Sequence, residues 1–160
     1  MMIILCSPLN KSMTRYAGYL YCNRIKIKNV LNIYTNGYAM PHIIIEGKKI
    51  NFESIHSCFP KTVKRCNQLI IKFEDSFLNQ PKDLILIRTM VIENSINQKY
   101  FIQLMRKDNQ VTIRLDPATD PHDKNNGVKM SIAMVAKVIL SIHKESDDLK
   151  ITKTNLAGFI

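Results

Sequence analysis

The sequence predicts an α+β domain in which antiparallel strands are backed by two amphipathic helices. Three observations carry this. Two-residue alternation of apolar and polar side chains dominates 19–52 and 84–116. Three- and four-residue apolar spacing takes over at 60–79 and 131–144. Turn-forming pairs such as Asn36-Gly37, Glu46-Gly47 and Asp108-Asn109 separate the runs. The first pattern puts every second side chain on one face of a sheet, and the second lays an apolar stripe along a helix.

From the N-terminus, Met1–Cys6 reads as a buried strand. In Tyr19–Lys28, Tyr19, Tyr21, Ile25 and Ile27 share one face, and Cys22, Arg24, Lys26 and Lys28 the other. Val30–Tyr34 continues the β signal. The run Ile-Ile-Ile-Glu-Gly-Lys-Lys-Ile-Asn-Phe within 42–52 reads as a hairpin turning at Glu46-Gly47. Pro60 suits a first helical turn, and Val63, Cys66, Leu69, Ile70, Phe73 and Phe77 follow at helical steps, so 60–79 is expected to be helical until Asn79-Gln80-Pro81 stops it. Strands are then expected at 84–93, 99–107 and 110–116. A polar loop from Asp116 to Gly127 with two Asp-Pro steps leads to a helix at 131–144, N-capped by Ser131, with Ile132, Val135, Ala136, Ile139 and Ile142 as its buried stripe. Leu149–Thr154 reads as one more strand. The apolar tail Leu156–Ile160 is expected to pack on its own sheet rather than serve a partner subunit. Strands followed by a helix thus occur twice, which suggests a duplicated unit with sub-repeats 16–79 and 84–145 inside one compact domain spanning 1–160.

Composition bounds the function. The chain has 160 residues, 46% of them apolar and 22% charged, and 23 are isoleucine, which excludes a disordered, collagen-like, mucin-like or coiled-coil chain. Its formal charge is +10, of which +7 falls in the first 80 residues and +3 in the rest. No apolar run approaches the roughly 20 residues of a membrane helix, and the start lacks the basic n-region and unbroken h-region of a secretory signal. Cys6, Cys22, Cys58 and Cys66 are scattered through apolar segments without a CxxC, which points to free, buried thiols in a reducing compartment, cytoplasm or nucleoid or nucleus, and to no metal. Five dispersed glycines exclude a phosphate-cradling loop, and no cofactor is expected.

One stretch is more specific. Lys99-Tyr100-Phe101-Ile102 leads into Arg106-Lys107-Asp108-Asn109, then a strand, Val111–Leu115, a polar loop, and Val128-Lys129-Met130-Ser131-Ile132 entering the helix. This order over 97–145 resembles a Pur-alpha-type repeat, with Gln110 where those repeats usually carry a turn glycine. The resemblance extends to 17–79 as topology, and a related arrangement of duplicated sheets with helices occurs in Whirly-like single-stranded nucleic acid binders. The resemblance implies non-enzymatic binding of single-stranded DNA or RNA.

The residues offer that chemistry, because single strands are held by cations that follow phosphates and by aromatic rings on which bases stack. The candidate cations are Arg24, Lys26, Lys28, Lys48, Lys49, Arg106, Lys107 and Arg114. The stacking candidates are Tyr21, Tyr34 and Tyr100, with Tyr19 and Tyr38 beside them. Strand edges invite pairing, so a homodimer belongs to this expectation. Other classes stay open. A small virus- or pathogen-encoded module could dock on an acidic protein partner, and the Ile, Asn and Lys richness fits an AT-rich genome. A basic RNase-like toxin would combine His122 and Lys124 with Arg106 and Arg114. A thiol nucleophile would need Cys58 or Cys22 near His122, with Asp120 or Asp123 orienting it. Asp116, Asp120, His122 and Asp123 match no cation-binding loop and read as turn residues.

Overall fold

The computed structural model describes residues 40–160 except 49, 60 and 144–147. The expected strands at 19–28 and 30–34, with Arg24, Lys26, Lys28, Tyr19, Tyr21, Tyr34, Tyr38 and Lys49, lie outside the described residues.

Seven strands form one antiparallel sheet: β1 His42–Glu46, β2 Val63–Cys66, β3 Leu69–Leu78, β4 Leu84–Glu93, β5 Ile96–Lys107, β6 Gln110–Leu115 and β7 Lys150–Thr154. Their order across the sheet is β2-β3-β4-β5-β6-β1-β7. Two helices, α1 Phe52–Cys58 and α2 Asn126–Ile142, pack on one face of it. The fold class is therefore α+β. The expected strands at 84–93, 99–107, 110–116 and 149–154 are all present, within three residues at each end. Their turns carry the residues that tolerate positive φ: Asn94 at 50° and Ser95 at 65° join β4 to β5, and Asp108 at 54° joins β5 to β6.

The inner face is a continuous aliphatic core. Ile43 and Ile45 of β1, Ile71 and Phe73 of β3, Ile85, Ile87 and Val91 of β4, Ile102 and Leu104 of β5, and Val111, Ile113 and Leu115 of β6 are buried against Val128, Ile132, Val135, Ala136 and Ile139 of α2. Of the expected helix stripe only Ile142 is not fully buried. In the tail, Leu156 is buried and Phe159 packs against the core, while Ile160 is exposed.

Four local expectations are corrected. Residues 63–78 are not a helix but the strands β2 and β3, joined at Asn67, whose φ is 52°. The apolar residues at helical steps come from both faces of the strands: Val63, Ile70 and Phe77 point outward and Cys66, Leu69 and Phe73 inward. A β-bulge between Phe73 and Asp75 sets Phe77 on the face opposite Phe73, four residues on. Second, β1 does not turn back on itself. It pairs with β6 and β7, and Asn51 caps α1, its Oδ1 accepting from the N–H groups of Glu53 (2.9 Å) and Ser54 (3.2 Å). Third, the expected sub-repeat 16–79 does not end in a helix, and its positions 16–39 lie outside the described residues. Fourth, α2 starts at Asn126 with Asn125 as N-cap, accepting from Val128 N–H at 3.0 Å, whereas Ser131 is buried one turn inside.

Candidate nucleic-acid interface

Both helices occupy the inner face, so the outer face is the one on which the described residues place no helix. Its side chains can be read in rows across the strands. One row runs Phe77, Leu86, Gln103, Arg114, His42. The next runs Leu84, Met105, Thr112, Ile44, Lys153. Another brings Asp75, Arg88 and Phe101 together. Among the described strand residues, the cations Arg65, Lys72, Arg88, Lys99, Lys107, Arg114, Lys150 and Lys153 lie on this face with the anions Glu46, Glu74 and Asp75.

Two aromatic rings stand at its centre. Phe77 is 50% exposed, and it meets Phe101 edge-on across β4, ring centroids 6.2 Å apart at 64°. Phe101, on the middle strand, is held where β6 ends: its N–H donates to Thr119 Oγ1 (2.9 Å) and its carbonyl accepts from Asp116 N–H (2.9 Å). Arg114 is oriented by Nε donating to Gln103 Oε1 at 2.8 Å, with no carboxylate in the contact. Apolar and cationic groups thus alternate over this face.

The expected site residues fare unevenly. Arg114 and Lys107 lie on this face. Lys48 sits at the end of β1, its backbone N–H bound to Asp148 Oδ2 at 2.9 Å, beside Lys150. Arg106 points to the inner side, its guanidinium 4.5 Å from the Phe52 ring centroid and donating to the Lys82 carbonyl at 2.9 Å. Tyr100 is corrected outright as a stacking residue, because it is only 2% exposed. Cys66 is exposed at the β2–β3 turn, not buried as expected. Phe77 and Phe101 were missed because Phe77 counted as core of a helix that does not form. Phe101 stood beside Tyr100, and only the strand's facing decides which of the two is outside.

The RNase-like constellation is not assembled. Asp123 N–H donates to Gln98 Oε1 near the start of β5, whereas Arg106 lies eight residues further along that strand, about 26 Å away. Lys124 is bound to Asp120 at 2.7 Å. Cys22 and the Cys58 side chain lie outside the described residues. Among the described residues no three His, Cys, Asp or Glu side chains cluster as a metal site would need, and no helix is long and apolar enough to cross a membrane.

Tyr100 has a structural role. Ser131 Oγ donates its one proton to the Val128 carbonyl at 2.7 Å, so across the 2.7 Å Tyr100–Ser131 contact the tyrosine is the donor. Burial pushes its phenol well above the ordinary tyrosine range, the Ser131 hydrogen bond offsetting part of this. Tyr100→Phe is expected to lower stability by about 1 kcal/mol in urea unfolding, the net worth of one buried hydrogen bond. Nucleic-acid affinity should not change. A loss of binding in a folded Tyr100→Phe protein would return this residue to the interface.

Fold and surface together define a class: an antiparallel sheet, closed by helices on one side and presenting a cationic, phenylalanine-bearing face on the other. No known family, no curated protein and no solved structure matches the chain.

Proposed function

We propose that the outer face binds single-stranded DNA or RNA without catalysis. The observation that carries this reading is the Phe77–Phe101 pair on the helix-free side of the described sheet, among strand residues that include eight cations and three carboxylates. Lys99, Lys107, Arg114 and Lys153 neutralise phosphates and release the counterions condensed on them, while bases stack on the two rings, each stacked base contributing about 1–3 kcal/mol. A stacking platform accepts any base, so little sequence preference is expected. The resemblance to Pur-alpha-type repeats points to the same ligand class. A second copy joins this reading through β2 and β7, each with one neighbouring strand among the described residues.

Fluorescence anisotropy of labelled single-stranded DNA and RNA, with duplex as control, tests it between about 50 and 200 mM salt. Binding that favours single strands and falls steeply with salt is the expected result. Absence of binding at low salt would overturn it and favour the docking of an acidic protein segment, for which the exposed apolar groups Val63 (51%), Phe77 and Met105 (36%) on the same face speak.

A further inference from the structure

The bulge in β3 has a chemical result. In a regular strand Asp75 would share the inner face with Leu69, Ile71 and Phe73. The extra residue instead pairs Asp75 with the outward Arg88 and sets Glu74 beside it. Two neighbouring carboxylates then hold three cations. Glu74 Oε1 takes Lys72 Nζ at 3.0 Å and its Oε2 takes Arg88 Nε at 3.2 Å. Asp75 Oδ1 takes Lys61 Nζ at 3.2 Å, and its Oδ2 takes Arg88 Nη2. The cations are the more exposed partners, from 43% for Lys72 to 78% for Lys61, against 21% for Glu74 and 34% for Asp75. Arg88 is the cross-strand neighbour of Phe101, so the cluster lies directly beside the ring pair.

We infer that Glu74 and Asp75 restrain nucleic-acid binding: they stand in for phosphate groups on Lys61, Lys72 and Arg88, three cations beside the phenylalanine platform that a bound single strand would otherwise engage. This rests on the function proposed above and adds to it what limits affinity. A carboxylate and a phosphodiester offer the same forked oxygens to a guanidinium, so they compete for one geometry. Exposed ion pairs of this kind are weak, so the competition is real rather than a locked structure. Both carboxyls are held below their ordinary range, Glu74 first by its hydrogen bond from Lys72 and Asp75 first by that from Lys61. They therefore remain charged at neutral pH and also repel incoming phosphates. The strand's backbone accordingly tracks toward Lys99, Lys107, Arg114 and Lys153 and stops at the bulge.

The test compares the full chain with Glu74→Gln/Asp75→Asn, which keeps shape and removes charge, using labelled 15-mers of thymidine and uridine. A charge-matched control, Glu46→Gln/Asp108→Asn, alters two carboxylates for which the structure shows no ion pair with Lys61, Lys72 or Arg88. The bulge variant is expected to bind about tenfold tighter at 50 mM salt. Its log–log salt dependence should steepen by about 2, because three added phosphate contacts each contribute about 0.7 on a single strand. Thermal melting should be little changed. Binding by the variant alone, with none by the parent, would support the inference as complete restraint. A parent that binds while the bulge variant binds no better, or no better than the charge-matched control, would overturn the inference and leave the proposed function standing. No binding by any of the three at 50 mM salt would overturn both.

Discussion

Replacing Phe77 and Phe101 together by alanine is expected to weaken single-strand binding by about 2–6 kcal/mol, the sum of two stacked bases at 1–3 kcal/mol each. The salt dependence should stay as it is, since no phosphate contact is removed. The two parts of the reading are thereby separable: rings set the intercept of the salt plot and cations its slope. Phe77→Ala alone should give about half the loss with little cost to the fold, because the ring is half in solvent at the end of β3. Phe101→Ala also removes the edge contact at 6.2 Å, so its effect on affinity includes the loss of support for Phe77. Anisotropy titrations at three salt concentrations, with circular dichroism confirming the fold, decide the matter. Unchanged affinity in the double variant would show that bases do not stack here, and the apolar part of the face would then belong to a protein partner.

The sheet's second half was legible in the sequence because its alternation is uninterrupted. Val111, Ile113 and Leu115 face in while Thr112 and Arg114 face out, and positive-φ turn residues flank β5, Asn94 and Ser95 before it and Asp108 after it. Arg114 and Lys107 could be placed on a surface for that reason. Two features hid the rest. Apolar residues on both faces of β2 and β3, Val63, Ile70 and Phe77 outside and Cys66, Leu69 and Phe73 inside, fell at helical steps, and the bulge at Glu74 completed the pattern by putting Phe77 four residues after Phe73 on the other face. The pairing of β1 with β6 and β7 joins residues more than 60 positions apart, as in His42 with Arg114 and Ile43 with Thr154, and no local pattern reports such partners. A local signal existed for α1. Asn51 precedes an acidic first-turn residue, Glu53, the arrangement that satisfies free N–H groups at a helix start, yet the preceding Ile-rich run and Gly47 favoured a hairpin. The choice between Tyr100 and Phe101 is of the same kind. Adjacent aromatic residues in a strand point oppositely, and which one stacks follows only from which side the helices cover.

That side is fixed largely by how closely α2 approaches the sheet, and Gly127 is where the approach is tightest. A Cβ at this position would stand 2.6 Å from Leu69 Cδ1, 2.6 Å from Val91 Cγ1 and 3.0 Å from Glu93 Oε2. The Gly127 N–H donates to Glu93 Oε2 at 2.7 Å, so the first turn of α2 is tied to the end of β4 by a charge-assisted hydrogen bond at the helix's positive end. Leu69 can give way by rotating its side chain, but Val91 is fully buried and has no such freedom. Gly127→Val is therefore expected to cost about 3 kcal/mol or more, as overpacking that must displace the helix and lengthen the Glu93 bond. Gly127→Ala separates two opposed effects: alanine's better helix propensity offers up to about 1 kcal/mol, and the contacts at 2.6 Å oppose it. Net destabilisation of the alanine variant in urea unfolding is the expected result. If that variant were instead more stable than the parent by the full propensity difference, α2 would have room to move off the sheet, and the close seating of its first turn would be wrong.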